Sequence, residues 1–314
     1  MTTRSNEWVR KIAMFFVAVA LVGCESLPID SAISIEPTTV VGQKTARVSN
    51  TKSRKKPVKV AAKPKVKEKA SRLQHVLVFS KTSWYRHPSI ASINQWFYEL
   101  GSKNKFKVTL SEDARDITAE KLAKYQVVLL NNTTDIGKSL NDEQKQALID
   151  WYQLGGGIVA IHGAGAHHDT WPWFARLMGC DFVSSSKRAE ARVIVDPASK
   201  KHPTVKGLSE SFTVTEEWQN FSHPVTDMSG VNVLLRVDET SYDAVSKMYK
   251  ELRGEPMGSD HPVAWTHSYD GGMFFYTAIG NDVRVFNTEF GRQHMLQALR
   301  WAASGTEPGP VKTP

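Results

Sequence analysis

Short apolar runs alternate with helix-length amphipathic segments along the chain from residue 75 onward. Residues 75–80 and 126–131 are nearly continuous apolar runs, which are typical of strands buried on both faces of a sheet. Across residues 90–100 the apolar side chains recur at helical spacing, and Gly101 predicts the end of that helix. A further apolar run at 157–161 follows a pair of glycines and predicts another buried strand.

Strands that alternate with helices of this length predict an α/β fold with a doubly wound, mostly parallel sheet. Asn141 predicts the N-cap of a helix that runs to Leu154. After Asp181 the pattern changes to strands with little helix between them. These strands are expected at 193–195, 212–214, 231–235, 263–265 and 273–277. We expect them to extend the sheet at one side as additional, partly antiparallel strands, with a final helix from Glu289 to about Ala303 packed over them.

The first 23 residues have the pattern of a bacterial export signal. Three basic residues precede an apolar run at 12–22, which is shorter than the roughly 20 residues that span a bilayer as a helix. Residues 21–24 (LVGC) resemble the lipobox of bacterial lipoproteins, which implies cleavage before Cys24 and a lipid on its thiol. The alternatives are an ordinary signal peptide or an uncleaved anchor. Because Glu25 follows instead of Asp, the same resemblance favours the outer membrane, with the protein facing the periplasm.

Residues 24–72 predict a disordered, basic tether. Residues 44–72 hold twelve Lys or Arg against one acid, Glu68, so this segment stays extended by self-repulsion and is attracted to an anionic envelope surface. From residue 73 onward there are 25 basic and 27 acidic residues, so the net charge of +8 comes from the N-terminal part. We therefore expect no nucleic-acid partner, one folded domain at 73–305 and a short tail at 306–314.

Polar side chains follow the predicted strands at their carboxyl ends, where ligands bind in open α/β sheets. His87 comes after the first strand, Asn132 after the third and His162 after the fourth. Four aromatic residues would rim this cleft: Trp84, Tyr85, Trp171 and Trp173. Aromatic faces beside amide and imidazole groups suit a sugar. The alternatives are a His162 that only hydrogen-bonds within its turn, and tryptophans that belong to the core.

Acidic residues near the later strands are further candidates for the functional site. Glu216 and Glu217 are adjacent at a strand exit, where their side chains point to opposite faces. We predict that Glu217 faces the cleft as a general base, a hydroxyl acceptor or a metal ligand, and the alternative is a solvated surface acid. Asp260 beside His261 either orients the imidazole or caps a turn. The histidine spacing matches no ligand motif, so the cofactor is unknown and a divalent metal stays open.

Several segments in order across residues 75–303 are together similar to the ThuA family, named for trehalose utilisation and related in fold to class I glutamine amidotransferases. The segments are 76–82 (VLVFSKT) with 85–87 (YRH), 130–134 (LNNTT), 155–162 (GGGIVAIH), 171–173 (WPW), 216–218 (EEW) with 220–221 (NF), 258–265 (GSDHPVAW) and 300–302 (RWA). The resemblance implies a flavodoxin-like, class I glutamine amidotransferase-like fold. It also implies a role in the metabolism of disaccharides or oxidised (3-keto) sugars.

The same resemblance places His162 where amidotransferases carry their attacking cysteine. Cys180, the one thiol in the predicted domain, lies well past that turn and is expected to be a packed apolar residue. The chain is therefore not expected to be a Cys-dependent glutamine amidotransferase. It departs from the family at Asn281, where members commonly have His, and at Gln219, where they commonly have Tyr. The first departure puts in doubt any metal or acid/base role at the end of the last strand.

The leading hypothesis is a membrane-tethered enzyme that acts on a disaccharide, glycoside or 3-keto-sugar. His162 and Glu217 would act as acid and base in hydrolysis, elimination or isomerisation. Six residues would bind or position the substrate, with Trp218 stacking on a sugar ring: His87, Asn132, Trp218, Asp260, His261 and Asn281. The alternative is a non-catalytic sugar-binding or envelope-scaffold lipoprotein, so catalysis itself stays open.

Overall fold

The computed structural model describes residues 73–166 and 170–305. Predictions on the remaining residues lie outside these ranges: the signal at 1–23, lipidation at Cys24, the tether at 24–72, the tail at 306–314, and the loop residues His167 and His168. Within the described part of the chain, no helix has both the length and the apolar character needed to cross a membrane.

The described residues form eleven strands and eight α-helices. The strands are β1 His75–Phe79, β2 Lys107–Ser111, β3 Val127–Asn131, β4 Gly157–Ile161, β5 Phe182–Ser185, β6 Ala189–Val195, β7 Ser211–Glu216, β8 Gln219–Phe221, β9 Val231–Val237, β10 Pro262–His267 and β11 Met273–Thr277. The helices are α1 Ile90–Asn104, α2 Ala119–Leu122, α3 Ile136–Ser139, α4 Asp142–Gln153, α5 Pro172–Met178, α6 Lys247–Glu251, α7 Val283–Phe286 and α8 Glu289–Ala302.

Nine of these strands form one mixed sheet in the order β2-β1-β3-β4-β11-β10-β9-β6-β7. The pairs from β2 through to β11 are parallel. The pairs from β11 through to β7 are antiparallel, and β5 and β8 form a small separate antiparallel pair. The predicted α/β fold, a doubly wound sheet with additional antiparallel strands, is confirmed.

Helix α1 is longer than the sequence pattern predicted. It continues through Gly101 to Asn104, and Lys105 then adopts a left-handed conformation (φ 61°). A Cβ atom at Gly101 would lie 2.7 Å from Val108 Cγ2 and 2.8 Å from the carbonyl oxygen of Phe106. The glycine therefore allows α1 to approach β2 closely instead of ending the helix.

The predicted start of α4 and the strand after it are confirmed. Asn141 Oδ1 accepts a hydrogen bond from the Gln144 N–H at 2.9 Å, and the Gln144 side chain accepts one from the Asn141 N–H in return. All five residues of β4 are buried, so this strand delivers His162 from the core to the sheet edge. At the start of β4, a Cβ atom on Gly157 would lie 2.3 Å from the Ala302 carbonyl oxygen, because α8 packs directly on this strand.

The chain after Asp181 contains elements that the apolar pattern did not predict. Helices α6 and α7 have only five and four residues, and β8 has three, which is too short for a period to be recognised. Strand β11 returns to the parallel part of the sheet and lies beside β4, with Thr277 paired to Ile161. This return brings the segment after β11 next to His162.

Candidate functional site

The site lies at the carboxyl edge of the parallel strands, where the direction of the chain reverses. The connection from β1 leads outward to β2, whereas the connection from β3 leads the other way to β4. Such a switch point leaves a crevice beyond the strand ends, because right-handed crossovers place the flanking helices on opposite faces. The loop after β1 carries His87, the end of β3 leads into Asn132, and β4 ends at His162.

His162 is a strained, fully buried residue at the turn after β4. Its φ of 44° is in the left-handed region, which a residue with a side chain rarely adopts. Its Nδ1 lies 2.7 Å from the Ala278 carbonyl oxygen, which can only accept, so Nδ1 carries the hydrogen and Nε2 has a lone pair. Burial lowers the pKa of His162, and the negative charge of Glu217 partly opposes this shift. A neutral imidazole with its Nε2 lone pair available is the result.

Asn132 and His87 pack around this turn. Asn132, also left-handed (φ 53°), accepts a 3.0 Å hydrogen bond at Oδ1 from the Gly163 N–H and donates from Nδ2 to the Gly280 carbonyl at 3.2 Å. The His87 ring meets the His162 ring edge to face at 4.9 Å. Burial, together with the neighbouring His162, lowers the pKa of His87 to about 3.

The hydrogen bond from the Gly163 N–H to Asn132 Oδ1 affects whether the site could perform acyl transfer. In nucleophile-elbow hydrolases, the backbone N–H after the nucleophile is a donor of the oxyanion hole. Here that N–H is already used by the Asn132 side chain inside the protein. Together with the imidazole of His162 where a nucleophile would stand, this arrangement does not favour amide hydrolysis through a covalent intermediate.

Asn281 joins His162 to Glu217. Its Nδ2 lies 3.3 Å from His162 Nε2 and 3.2 Å from Glu217 Oε2. The amide orientation follows from chemistry, because the opposite orientation would place Oδ1 against a lone pair and a carboxylate oxygen. Glu217 is half-buried, and its other oxygen accepts a 2.8 Å hydrogen bond from Ser185 Oγ. One amide nitrogen therefore hydrogen-bonds both candidate acid/base groups of the site.

Glu216 lies on the opposite side of the strand and supports this arrangement from within the core. It is fully buried, and it accepts hydrogen bonds from the backbone N–H groups of Glu217 (2.8 Å), Gly280 (2.8 Å) and Asn281 (3.3 Å). Burial raises the pKa of Glu216 to about 8, and the three N–H groups reduce that shift. Glu216 thereby ties the end of β7 to the segment after β11.

Tyr85 and Tyr249 lie close enough to Glu217 to experience its charge. Burial, followed by the Glu217 charge, raises the pKa of Tyr85, and the same causes raise the pKa of Tyr249 to about 12. Tyr85 is 39% exposed, and its ring meets that of His87 edge to face at 4.8 Å. The neighbouring Ser185 side chain opposes part of the rise in the pKa of Tyr249. Sequence reasoning missed Tyr249 and Ser185, which come from the short elements α6 and β5.

Three predicted substrate-binding residues do not face the site. Trp218 is fully buried and donates its Nε1–H to the Ala189 carbonyl at 3.2 Å, so it cannot stack on a sugar. His261 is fully buried between the Glu239 carboxylate at 2.7 Å and the Gln219 carbonyl at 2.8 Å. Asp260 does not orient that imidazole, because it pairs with Arg236 and Thr226.

The structure also places the two tryptophans predicted at the rim and the glutamine that departs from the family pattern. Trp171 and Trp173 are core residues, 5% and 7% exposed, and Trp173 donates to the Asp270 carboxylate at 2.7 Å. They therefore do not form the rim of the site. Gln219, at the position where the family commonly has Tyr, is buried and accepts a 2.7 Å hydrogen bond from Tyr276.

Metal-binding capacity at the site comes from two side chains. His162 Nε2 and Glu217 Oε2 face the same point and belong to the donor types that divalent transition metals use. Within residues 73–166 and 170–305, no three His, Cys, Asp or Glu side chains are grouped so that they could hold a metal ion. A third donor would have to be of another type.

The family assignment predicted from the sequence is confirmed. The chain belongs to the ThuA family, described as Trehalose utilisation, whose model matches residues 75–302. This membership connects the chain with carbohydrate metabolism. No protein among those with curated descriptions matches it.

Solved structures with a similar fold include two ThuA-like proteins. One, from Bacteroides uniformis, is 24% identical, with 77% of this chain and 95% of that chain covered and a TM-score of 0.61. The other, from Parabacteroides merdae, is 19% identical, with 76% and 93% covered and a TM-score of 0.57. A cytoplasmic protein from Salmonella typhimurium LT2 is 11% identical, with 73% and 99% covered and a TM-score of 0.50. These likenesses support the flavodoxin-like fold.

Proposed function

We propose that this protein is an enzyme that performs acid/base chemistry on a glycoside or 3-keto-sugar, with His162 and Glu217 as the reacting pair. The observation that carries the proposal is the convergence of His162 Nε2 and Glu217 Oε2 on one Asn281 amide nitrogen, at 3.3 and 3.2 Å. Two groups that can take up protons thus face one point at the switch-point crevice. Family membership supports a carbohydrate as substrate.

The state of His162 suits the role of a base. Its Nδ1–H is held by the Ala278 carbonyl, so the lone pair is fixed on Nε2, and burial keeps the ring neutral. Glu217 is held at one oxygen by Ser185 and is half-buried, so its other oxygen serves as a second base or, once protonated, as an acid. Substrate must first move the Asn281 amide away from both groups.

A 3-keto-glycoside offers a proton that these groups can remove. A base takes the proton from C2, beside the ketone, and the C–H electron pair moves toward the carbonyl to form an enolate. The enolate electrons then form the C1–C2 double bond and the glycosidic C1–O bond breaks. The released alkoxide takes a proton from the second group, which balances the reaction as an elimination. Reprotonation of the enolate on another carbon gives isomerisation instead.

Tyr85 and Tyr249 take the place of Trp218 as the aromatic surfaces of the site. Both experience the charge of Glu217, and the Tyr85 side chain is partly exposed. Sugar C–H faces pack on aromatic rings, whereas the hydroxyls need polar partners such as Ser185 and Asn281. A neutral pyranose ring fits this combination of groups.

The test uses the full chain with 3-keto-glycosides and follows aglycone release together with deuterium uptake at C2. We expect turnover that falls about 10²- to 10⁴-fold in His162→Ala and in Glu217→Gln. His223→Ala is the matched control, because His223 is exposed and its side chain hydrogen-bonds Ser222, away from the reacting pair. Unchanged turnover in His162→Ala overturns the assigned role.

A non-catalytic sugar-binding protein is the second candidate. It is favoured by Asn281, whose amide engages both reacting groups in the structure. Calorimetry with disaccharides and keto-sugars separates the two candidates. Binding that weakens in Tyr85→Ala, without product formation or deuterium uptake, supports the binding protein and contradicts the enzyme.

Attachment to the cell envelope is part of the proposal. It is supported by the export-signal pattern, the lipobox-like residues 21–24 and the twelve basic residues at 44–72. Lipid on Cys24 and an anionic surface under the tether would hold the domain at the outer membrane, facing the periplasm. Cys24→Ser should move the protein from the membrane to the soluble fraction, and unchanged membrane association contradicts lipidation.

A further inference from the structure

We propose that the gap between His162 and Glu217 is a binding site for one divalent transition-metal ion, with Asn281 as the third ligand. The two proposed acid/base groups and the amide that joins them are the donors. The ion lies between the three donors, beside the place now held by the Asn281 amide nitrogen. The observations behind this assignment are the convergence of lone pairs, the orientation of each donor by a further hydrogen bond, and the local balance of charge.

Two lone pairs converge on a single position. His162 Nε2 and Glu217 Oε2 lie 3.3 and 3.2 Å from Asn281 Nδ2, which satisfies both by donating its two hydrogens. A cation satisfies the same two lone pairs more strongly, at metal–ligand distances of about 2.1 Å.

Asn281 can become a ligand without leaving the site. A half-turn of its amide exchanges Nδ2 for Oδ1, which has nearly the same size and shape. In the absence of a cation this orientation is unfavourable, because three acceptors would meet. With a cation at the centre, the carbonyl oxygen completes a set of one imidazole nitrogen, one carboxylate oxygen and one amide oxygen.

Both strong donors are already oriented as metal ligands usually are. Histidines that bind metals generally donate their other ring N–H to a carbonyl or carboxylate, as His162 Nδ1 does to the Ala278 carbonyl at 2.7 Å. Ligating carboxylates are in turn hydrogen-bonded, as Glu217 is to Ser185 at 2.8 Å. These contacts fix the donors before an ion arrives.

The local charge favours a cation. Within the described ranges, the Glu217 carboxylate forms no ion pair or hydrogen bond with a Lys or Arg. The mixed nitrogen and oxygen donors suit Mn²⁺ or Zn²⁺ better than Mg²⁺ or Ca²⁺, which prefer oxygen alone. Three protein ligands leave further coordination positions open to a sugar oxygen.

The consequence for catalysis rests on the proposed function. An ion on Nε2 and Oε2 uses the lone pairs that proton transfer needs, so bound ion and acid/base catalysis exclude each other. Turnover, where it is measured, should therefore fall as the site fills. Binding itself does not depend on the identity of the substrate.

Calorimetry and electron paramagnetic resonance with Mn²⁺ on the full chain test the site. We expect one ion per chain, and an affinity that falls at least about ten-fold in His162→Ala and in Glu217→Gln. Asn281→Asp should bind more tightly, because a carboxylate replaces an amide that must first turn over. Asn141→Asp is the matched control, since Asp caps α4 as well as Asn does and the affinity should not change.

The outcomes separate the two proposals. Ion binding that is equally strong in His162→Ala, Glu217→Gln and the unsubstituted chain, or no binding in any form including Asn281→Asp, overturns the metal site. Turnover that rises with bound ion leaves the site standing but overturns the role of His162 as a base. Retained circular dichroism in each variant confirms that the fold is intact.

Discussion

The parallel and antiparallel halves of the sheet contribute different chemistry to the same site. The parallel half, β2 to β11, provides the neutral imidazole of His162 at a buried turn. The antiparallel half leads through β7 to Glu216 and Glu217, one buried and one half-buried. Asn281, in the segment after β11, contacts both sets. The reacting pair therefore exists only where the two halves meet.

This difference follows from how each half is packed. Every residue of β3 and β4 is buried, so both faces of these strands are covered. In β6, exposed residues such as Glu190 and Arg192 alternate with buried ones, so one face meets solvent. Burial on both sides holds His162 neutral, whereas alternation allows one carboxylate to face the crevice and its neighbour to face the core.

Truncation of a core residue in the parallel half should have the largest effect on stability. Leu129 on β3 is fully buried, and Leu129→Ala should lower the free energy of unfolding by about 2–5 kcal/mol because it leaves a cavity. Thr213→Ala, at an exposed position of β7, should change it by less than about 0.5 kcal/mol. Urea unfolding of both variants measures the contrast, and similar losses would contradict the difference in packing.

Glu216 at the junction of the halves should have the next largest effect. Glu216→Ala removes the acceptor of three backbone N–H groups and should cost about 2–3 kcal/mol. Glu216→Gln keeps one acceptor oxygen and should cost about half as much. Glu190→Ala, on the exposed face of β6, is the control in the same urea experiment. An equally small loss in Glu216→Ala and in the control would show that the junction does not depend on Glu216.

Buried histidines should make the free energy of unfolding of both halves fall in acid. This effect should be smaller than those of Leu129→Ala and Glu216→Ala. Burial lowers the pKa of His294, beside β11, to about 3, and that of His202, between β6 and β7, to about 4. As the pH falls, the unfolded chain therefore takes up protons before the folded chain does. The stability that the neutral buried histidines contribute is complete above pH 6.5 and is lost as the pH falls toward their pKa in the folded state. For His294 the slope is about 1.4 kcal/mol per pH unit.

Urea unfolding between pH 7 and 5 measures these slopes. His294→Leu should remove about 1 kcal/mol of the loss seen between pH 6.5 and 5.5, and His202→Leu should also flatten the curve. The exposed His223→Leu is the control and should leave the slope unchanged. A slope in His294→Leu equal to that of the unsubstituted chain would show that His294 is protonated in the folded state.

Features that depend on local sequence were predictable, and features that depend on distant packing were not. A buried apolar run followed by glycines placed His162 at a sheet edge, and alternation on a strand indicated which of two adjacent glutamates faces the crevice. Trp218 and His261 were misjudged because nothing near them in sequence shows that other elements cover their rings. Ser185 and Tyr249 were missed because β5 and α6 are too short to show a period.

The sequence alone determined the α/β class, the family and the turn that carries the imidazole, because periodicity and glycine placement act over a few residues. Tertiary structure decided which groups meet. His162 and Asn281 are 119 positions apart in sequence, and the pairing of β11 with β4 brings them together. Backbone hydrogen bonds to the buried Glu216 bring in Glu217. Contacts over such separations arise from packing of the whole sheet, and no local pattern encodes them.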